Sequence, residues 1–248
     1  MLHGQYPKLT DKYDRKKKYR WIRNGYMKKE TEGLITAAQD QALPTRWRKV
    51  NIEKQGGTAK CRMCNERDGR IFHILSECSK VAQSDYRKRH DKVAQNVHWN
   101  ICKKFELPHA KNWYDHVAEK VTENNKAKVL WDFTIQTDHV IEARRPDIVV
   151  LDKELDHVWV IDIAVPGDGR VEEKEKEKRE KYQDLAREIR KLWKTSVNVI
   201  PVVVGALGAV AHLEEELAKL DIGRKEVDRA QFSALLGSAR ILRRVLDI

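Results

Sequence analysis

The chain has 248 residues, of which 41% are hydrophobic and 35% charged, and a formal net charge of +11 at pH 7; a sizeable core can form under a heavily charged surface. No apolar run reaches the roughly 18 residues that a membrane span requires, and the N-terminus lacks the apolar centre of a signal peptide. These features set a soluble, intracellular protein without a membrane partner as the expectation, and a nuclear setting is expected if its partner is DNA.

The charge is unevenly placed: residues 1–107 carry +13 and residues 108–248 carry −2. A basic half joined to a near-neutral half predicts a polyanionic partner, nucleic acid before an acidic membrane surface. Residues 1–20 are polar, contain Arg15-Lys16-Lys17-Lys18 and read as a flexible arm. They begin a basic, partly helical region over residues 1–55, in which Leu34, Ile35 and Ala38 mark one helical face. Gly56-Gly57 reads as a hinge into a cysteine cluster.

That cluster, Cys61-x2-Cys64-x8-His73-x4-Cys78, lies within residues 56–82. A tight knuckle with two thiolates, followed by an imidazole and a third thiolate about one helical turn further on, can close a tetrahedron around Zn²⁺. Four protein ligands leave no open position, so the site is expected to be structural, with binding energy that belongs to folding. The alternative is a set of ordinary buried residues. Arg62, Arg67, Arg70 and Lys80 surround the cluster and favour contact with nucleic acid.

Residues 83–106 predict one long helix, with Tyr86, His90, Val93, Val97, Ile101 and Phe105 on one face. His90 and His98 read as satisfied helix residues, and Cys102 stands apart from the other cysteines. The pattern then changes. Residues 130–135 alternate as a strand, and residues 148–151 and 158–165 are β-branched runs typical of strands buried on both faces. Pro166-Gly167-Asp168-Gly169 is a turn. A single charged helix is predicted over residues 170–194 with the stripe Tyr182, Leu185, Ile189 and Leu192, then a strand over 197–204 and helix from Gly205 onward, broken near Gly223. This order predicts an α/β sandwich over residues 83–248.

Two acids stand out. Asp147 follows Arg144-Arg145-Pro146 and leads into a strand, and Asp162 lies inside the apolar run of residues 158–164, fourteen residues intervening. A carboxylate inside such a strand costs several kcal/mol unless paired or bound to a cation. Two on adjacent strands can converge on one Mg²⁺ or Mn²⁺, which would polarise a phosphate. The plainer alternative is a turn cap at Asp147 and a basic partner for Asp162. A phosphodiester hydrolase also needs a cationic side chain. The position two residues after the second acid, the usual site of a nuclease lysine, is Ala164. Lys178, four residues before Tyr182, and Lys181 at the edge of the stripe are the candidates to replace it.

The Cys-Cys-His-Cys cluster, the Arg-Pro-Asp segment and the second acid together resemble the C-terminal end of site-specific non-LTR (LINE-type) retrotransposon polyproteins. The resemblance takes in Lys29-Glu30-Thr31-Glu32-Gly33-Leu34-Ile35, Ala37 to Leu43, Arg89-His90-Asp91 and Lys178-x2-Lys181-Tyr182, and spans residues 20–205. It implies a zinc knuckle followed by a restriction-endonuclease-like domain of the PD-(D/E)xK type. It also implies that Asp147 and Asp162 are metal-binding catalytic acids, with Lys178 and Lys181 as displaced basic residues and Tyr182 beside them. The family also lacks the adjacent lysine. Its endonuclease nicks DNA, and the freed 3′ end primes reverse transcription. No reverse transcriptase fits in the 60 residues before Cys61, so the chain is expected to be a fragment, a decayed copy or a host gene made from the tail. The rival readings are a nucleic-acid-binding relic without catalysis and a purely structural interaction protein. Oligomeric state is not set by the sequence; a single active site would only nick.

Overall fold

The computed structural model describes residues 4–138 and 140–248; residues 1–3 of the expected arm lie outside them. The N-terminal region folds as α1 (Gln5–Leu9), α2 (Arg15–Lys18), α3 (Arg20–Arg23), α4 (Lys29–Gln39) and α5 (Arg46–Asn51). The cysteine segment adds α6 (Ile71–Ser76) and the turn α7 (Ser79–Val81), and a π-helical turn at Ala82–Tyr86 leads into α8 (Arg87–Lys104).

The flexible arm is corrected for residues 4–20. Tyr6, Tyr13 and Trp21 are buried, and the Tyr6 hydroxyl donates to Leu207 O at 3.0 Å. Basic residues of this stretch pair with acids near the other end of the chain: Lys12 with Glu172, Lys17 with Glu215, and Arg20 with Glu214 and Asp228. The aromatic residues spaced among the lysines supply the apolar area, about 1.5–3 kcal/mol for each side chain removed from water. The basic excess of the first half is thus partly spent within the molecule.

The strands form one five-stranded sheet in the order β1 (Val121–Glu123), β2 (Ala127–Trp131), β3 (Ile148–Asp152), β4 (His157–Ala164), β5 (Ser196–Val203). The first four pair antiparallel, and β5 lies parallel to β4. The parallel step requires a crossover, which α9 (Val171–Lys181) and α10 (Gln183–Trp193) supply. After β5 come α11 (Leu213–Ala218) and α12 (Arg224–Leu246).

Helices cover both faces of this mixed α/β sheet. Ile148, Val150, Ile161 and Ile163 face α8, α11 and the first half of α12 through Val93, Val97, Ile101, Leu217 and Ala230. Val149, Val158 and Val160 face α10 through Leu185, Ala186 and Ile189. The alternation along β3 and β4 places Asp162 on the α10 face. The second half of α12, including Leu235, Ile241 and Leu242, packs with Trp21, Ile35, Ile74, Cys61 and Cys78. One 23-residue helix therefore ties the sheet to the cysteine cluster and the N-terminal helices.

Three sequence expectations are revised. The strand predicted over residues 130–135 ends at Trp131, because Asp132 turns the chain at φ 44°, a left-handed conformation that aspartate tolerates better than most residues. Arg145 holds that turn with two contacts of 2.6 Å to the Asp132 carboxylate. The predicted helix over residues 170–194 breaks at Tyr182, which leaves helical geometry at φ −104° and ψ 11°. Residues after Gly205 turn back on themselves before α11 instead of continuing as helix.

Two buried charges organise the junction between the layers. The Arg89 guanidinium donates to Ser238 Oγ, Leu75 O and Val165 O at 3.0, 2.9 and 3.2 Å. Its stem passes so close to α12 that a Cβ at Gly237 would lie 2.5 Å from Arg89 Cγ. Asp168 accepts from Leu207 N and Ala209 N, both at 2.9 Å, and a Cβ at Gly205 would lie 2.3 Å from its Oδ1. Burial pushes the Asp168 carboxyl up to about 6, against the amide hydrogen bonds that favour its charged form. The native state then holds a proton that the unfolded chain has released, so stability from this group falls as pH rises from about 4 to about 6. Asp168→Asn is expected to remove about 3 kcal/mol of that pH dependence. Urea melts of both proteins at pH 4 and pH 7 check this; an identical pH difference in the two would refute it.

Candidate active site and metal centre

The antiparallel register pairs Ile148 with Ile161, so Asp147 and Asp162, one step further, sit side by side at the same end of the sheet. Asp147 lies just before β3, where its main-chain oxygen accepts from Asp132 N at 2.7 Å. Its Oδ2 accepts from Ile163 N at 2.6 Å. His90, reaching across from α8, places Nε2 3.2 Å from that same Oδ2 and 3.2 Å from Ile163 O. His90 Nδ1 lies 3.1 Å from Asp91 Oδ1. Burial disfavours the imidazolium, but the hydrogen bond and charge of Asp147, supported by Asp91, outweigh it and raise His90 to about 9.

Asp162 is 3% exposed. Tyr182 directs its hydroxyl onto Oδ1 at 2.5 Å, and Lys181 Nζ stands 3.8 Å from the same oxygen and 2.9 Å from the Tyr182 hydroxyl. Lys178 Nζ lies 2.5 Å from Oδ2, an ionic contact without hydrogen-bond alignment, so this buried oxygen has no hydrogen-bond partner among the described residues. Burial and the Asp162 charge drive the Tyr182 phenol far above its ordinary range, so it serves as a donor. The break between α9 and α10 is what lets Tyr182 and both lysines face one carboxylate.

Four predicted residues, Asp147, Asp162, Lys178 and Lys181, thus converge. His90 joins them, although the sequence reading set it aside. Its signal was its place on the apolar stripe of α8, where an ionisable side chain needs a partner. The plainer reading of Asp162 also has substance, since Lys178 is its basic partner. The two carboxylates thus sit at neighbouring strand ends, Asp147 engaged by Ile163 N and His90 and Asp162 by Tyr182 and Lys178.

The cysteine cluster is assembled by a short turn and two helices. Cys61 N donates to Arg67 O at 2.7 Å and Asn65 N to Cys61 O at 2.9 Å, with Asn65 in the left-handed region at φ 56°. This knuckle presents Cys61 and Cys64 to His73 on α6 and to Cys78 at the start of α7. One ligand atom from each residue lies within 4.8 Å of all the others. Cys61 Sγ and Cys78 Sγ are 3.8 Å apart, the edge of about 3.8 Å expected of a tetrahedron with Zn–S near 2.3 Å. Cys64 Sγ and His73 Nε2 are 3.3 Å apart. Burial raises the Cys78 thiol to about 11, against the amides of Val81 and Lys80. At the more open Cys64, amides of Arg67 and Glu66 outweigh burial and lower the thiol. The four residues could hold a zinc ion.

The basic residues around this centre are partly engaged. Arg62 pairs with Asp247 at 3.2 Å, Arg67 with Glu77 at 3.6 Å, and Arg70 lies over the Trp47 ring at 4.1 Å. No helix among the described residues is long and apolar enough to cross a membrane. No protein-family model matches this chain, and no curated protein matches it.

Proposed function

We propose that the chain is the zinc-knuckle and restriction-like endonuclease part of a site-specific non-LTR retrotransposon protein, and that it nicks DNA with Mg²⁺ or Mn²⁺. The observation that carries this reading is the convergence of Asp147, Asp162, Lys178 and Lys181 at one end of a mixed sheet. The sheet, an antiparallel meander extended by a parallel strand and covered on both faces, supports the PD-(D/E)xK assignment. The knuckle and basic N-terminal half support a nucleic-acid partner, DNA as the target and RNA as a further ligand, and a nuclear setting.

Asp147 and Asp162 would hold the cation, with Ile163 O beside them. When bound, such an ion supplies Lewis acidity toward a phosphate oxygen and a water molecule. Ile163 N and His90 fix the rotamer of Asp147, and Tyr182 fixes that of Asp162. Lys178, released from Asp162 when the carboxylate is otherwise neutralised, offers its charge to the phosphate. Lys181, more exposed, carries a second charge at the rim.

The binding-relic reading has one observation in its favour: His90 and Lys178 already neutralise both carboxylates. Zinc-loaded protein incubated with supercoiled plasmid and Mg²⁺ or Mn²⁺ decides between the two. Relaxed circles that fail to form when Mg²⁺ and Mn²⁺ are left out of the reaction with the zinc-loaded protein are expected. Intact supercoils, from a protein that binds DNA with an affinity falling steeply with salt, would establish the relic.

A further inference from the structure

A second group of metal-ligating side chains lies away from both centres. His98 and Cys102 are one turn apart on α8, facing the same way as residues i and i+4 do. His116 follows the irregular connection after α8, just beyond a 3₁₀ turn at Trp113–Asp115. All three are buried, at 1%, 0% and 5% exposure. His98 Nδ1 is 2.7 Å from His116 Nε2 and 3.5 Å from Cys102 Sγ, and one donor atom from each residue lies within 4.8 Å of the other two.

We infer that His98, Cys102 and His116 form a second zinc site, which fastens the connection between α8 and β1 to the helix. Two imidazoles and a thiolate are the donor types that suit zinc. With Zn–N near 2.0–2.1 Å and Zn–S near 2.3 Å, a tetrahedral site places nitrogen and sulfur about 3.6 Å apart and two nitrogens about 3.3 Å apart. The observed 3.5 Å between nitrogen and sulfur already meets that spacing. The two imidazoles need only part by a fraction of an ångström. No fourth protein donor joins the three among the described residues, so water completes the tetrahedron.

The placement gives the site a consequence. The connection after α8 is irregular from Glu106 to Lys120 apart from the 3₁₀ turn, and its own sequence supplies few apolar anchors. The His98 ring packs edge-on against Trp131, with centroids 5.4 Å apart. Trp131 pairs with Ile148 in the sheet, one residue from Asp147. A metal held here would therefore stiffen the strand ends that carry the candidate active site. A bare hydrogen bond between two neutral imidazoles is the competing account of the same contact. In that account Cys102 serves only as a small buried core residue beside Ile101 and Phe105.

Elemental analysis of the full-length protein, purified without chelator, tests this directly. Two zinc ions per chain are expected, with Cys102→Ala and His116→Ala each retaining one. One zinc per chain in the wild type, unchanged in Cys102→Ala, would overturn the second site. Cobalt titration into the zinc-free wild-type chain during refolding gives an answer that does not depend on the variants folding. Two saturating steps are expected, one with strong and one with weak thiolate-to-cobalt absorption, reflecting three thiolates against one. Saturation at a single equivalent would refute the proposal.

Discussion

Asp162→Asn is expected to yield a folded, DNA-binding protein whose plasmid nicking is slower by roughly 10³-fold, because losing a catalytic cation forfeits several kcal/mol of transition-state stabilisation. Asparagine keeps an acceptor for the Tyr182 hydroxyl, which donates to Asp162 Oδ1, so the loss would not report a collapsed pocket. Asp147→Ala should be similarly inactive. Lys178→Met separates the catalytic role from the structural one. It leaves the buried Asp162 carboxylate without its nearest cation and should cost the zinc-loaded protein about 3 kcal/mol of stability in the absence of Mg²⁺, since breaking a buried ion pair is worth about 3–5 kcal/mol. If Asp162 holds a divalent ion, Mg²⁺ should restore stability to Lys178→Met far more than it stabilises the wild type, by mass action on the native state. Thermal melts with and without Mg²⁺ read this out. Equal shifts in both proteins would mean that the Asp162 oxygens do not hold the cation, whatever the plasmid assay shows.

Stripping zinc from the Cys61, Cys64, His73 and Cys78 centre is expected to lower the melting temperature by about 20 °C or more. A structural zinc in a small finger contributes roughly 10 kcal/mol or more, against a total stability of about 5–15 kcal/mol for a folded domain. Each kcal/mol lost is worth about 2–4 °C at this chain length. The effect should reach beyond the knuckle. Cys61 and Cys78 are both fully buried in the same cluster as Trp21, Ile35 and the end of α12, so loss of the ion loosens the N-terminal helices as well. Hydrogen exchange should speed up first in α4, α6 and the second half of α12, and later in β3 to β5. A chelated protein, zinc-free by elemental analysis, that melts like the loaded one would show that packing alone holds this layer.

Much of this molecule is written locally. The spacing of Cys61, Cys64, His73 and Cys78 specifies a tetrahedral ligand set because a knuckle and one helical turn fix the geometry over a few residues. The β-branched runs specify β3, β4 and β5, since side chains that alternate or stay apolar along a strand reflect only its own two faces. Asp147 and Asp162 were visible for the same reason: a carboxylate at the edge of or inside such a run conflicts with its surroundings, and the conflict itself is the signal. The outward direction of Leu192, which is 37% exposed, was not visible, because the break at Tyr182 changes the phase of the helix that a uniform period assumes.

What only the tertiary structure decided lies between residues far apart in the chain. His90 reaches Asp147 across 57 positions, and Arg145 reverses the chain at Asp132 only because β2 and β3 are paired. The basic N-terminal stretch looks like a free arm until Tyr6 and Trp21 meet α12 and the turn at Leu207. His98, Cys102 and His116 look like an ordinary helix and a loop until the connection folds back. Periodicity records which way a side chain points from its own backbone, whereas a site also needs to know what stands opposite. That is set by the layer packing, in which burial of apolar faces brings distant polar groups together without any local trace in the sequence.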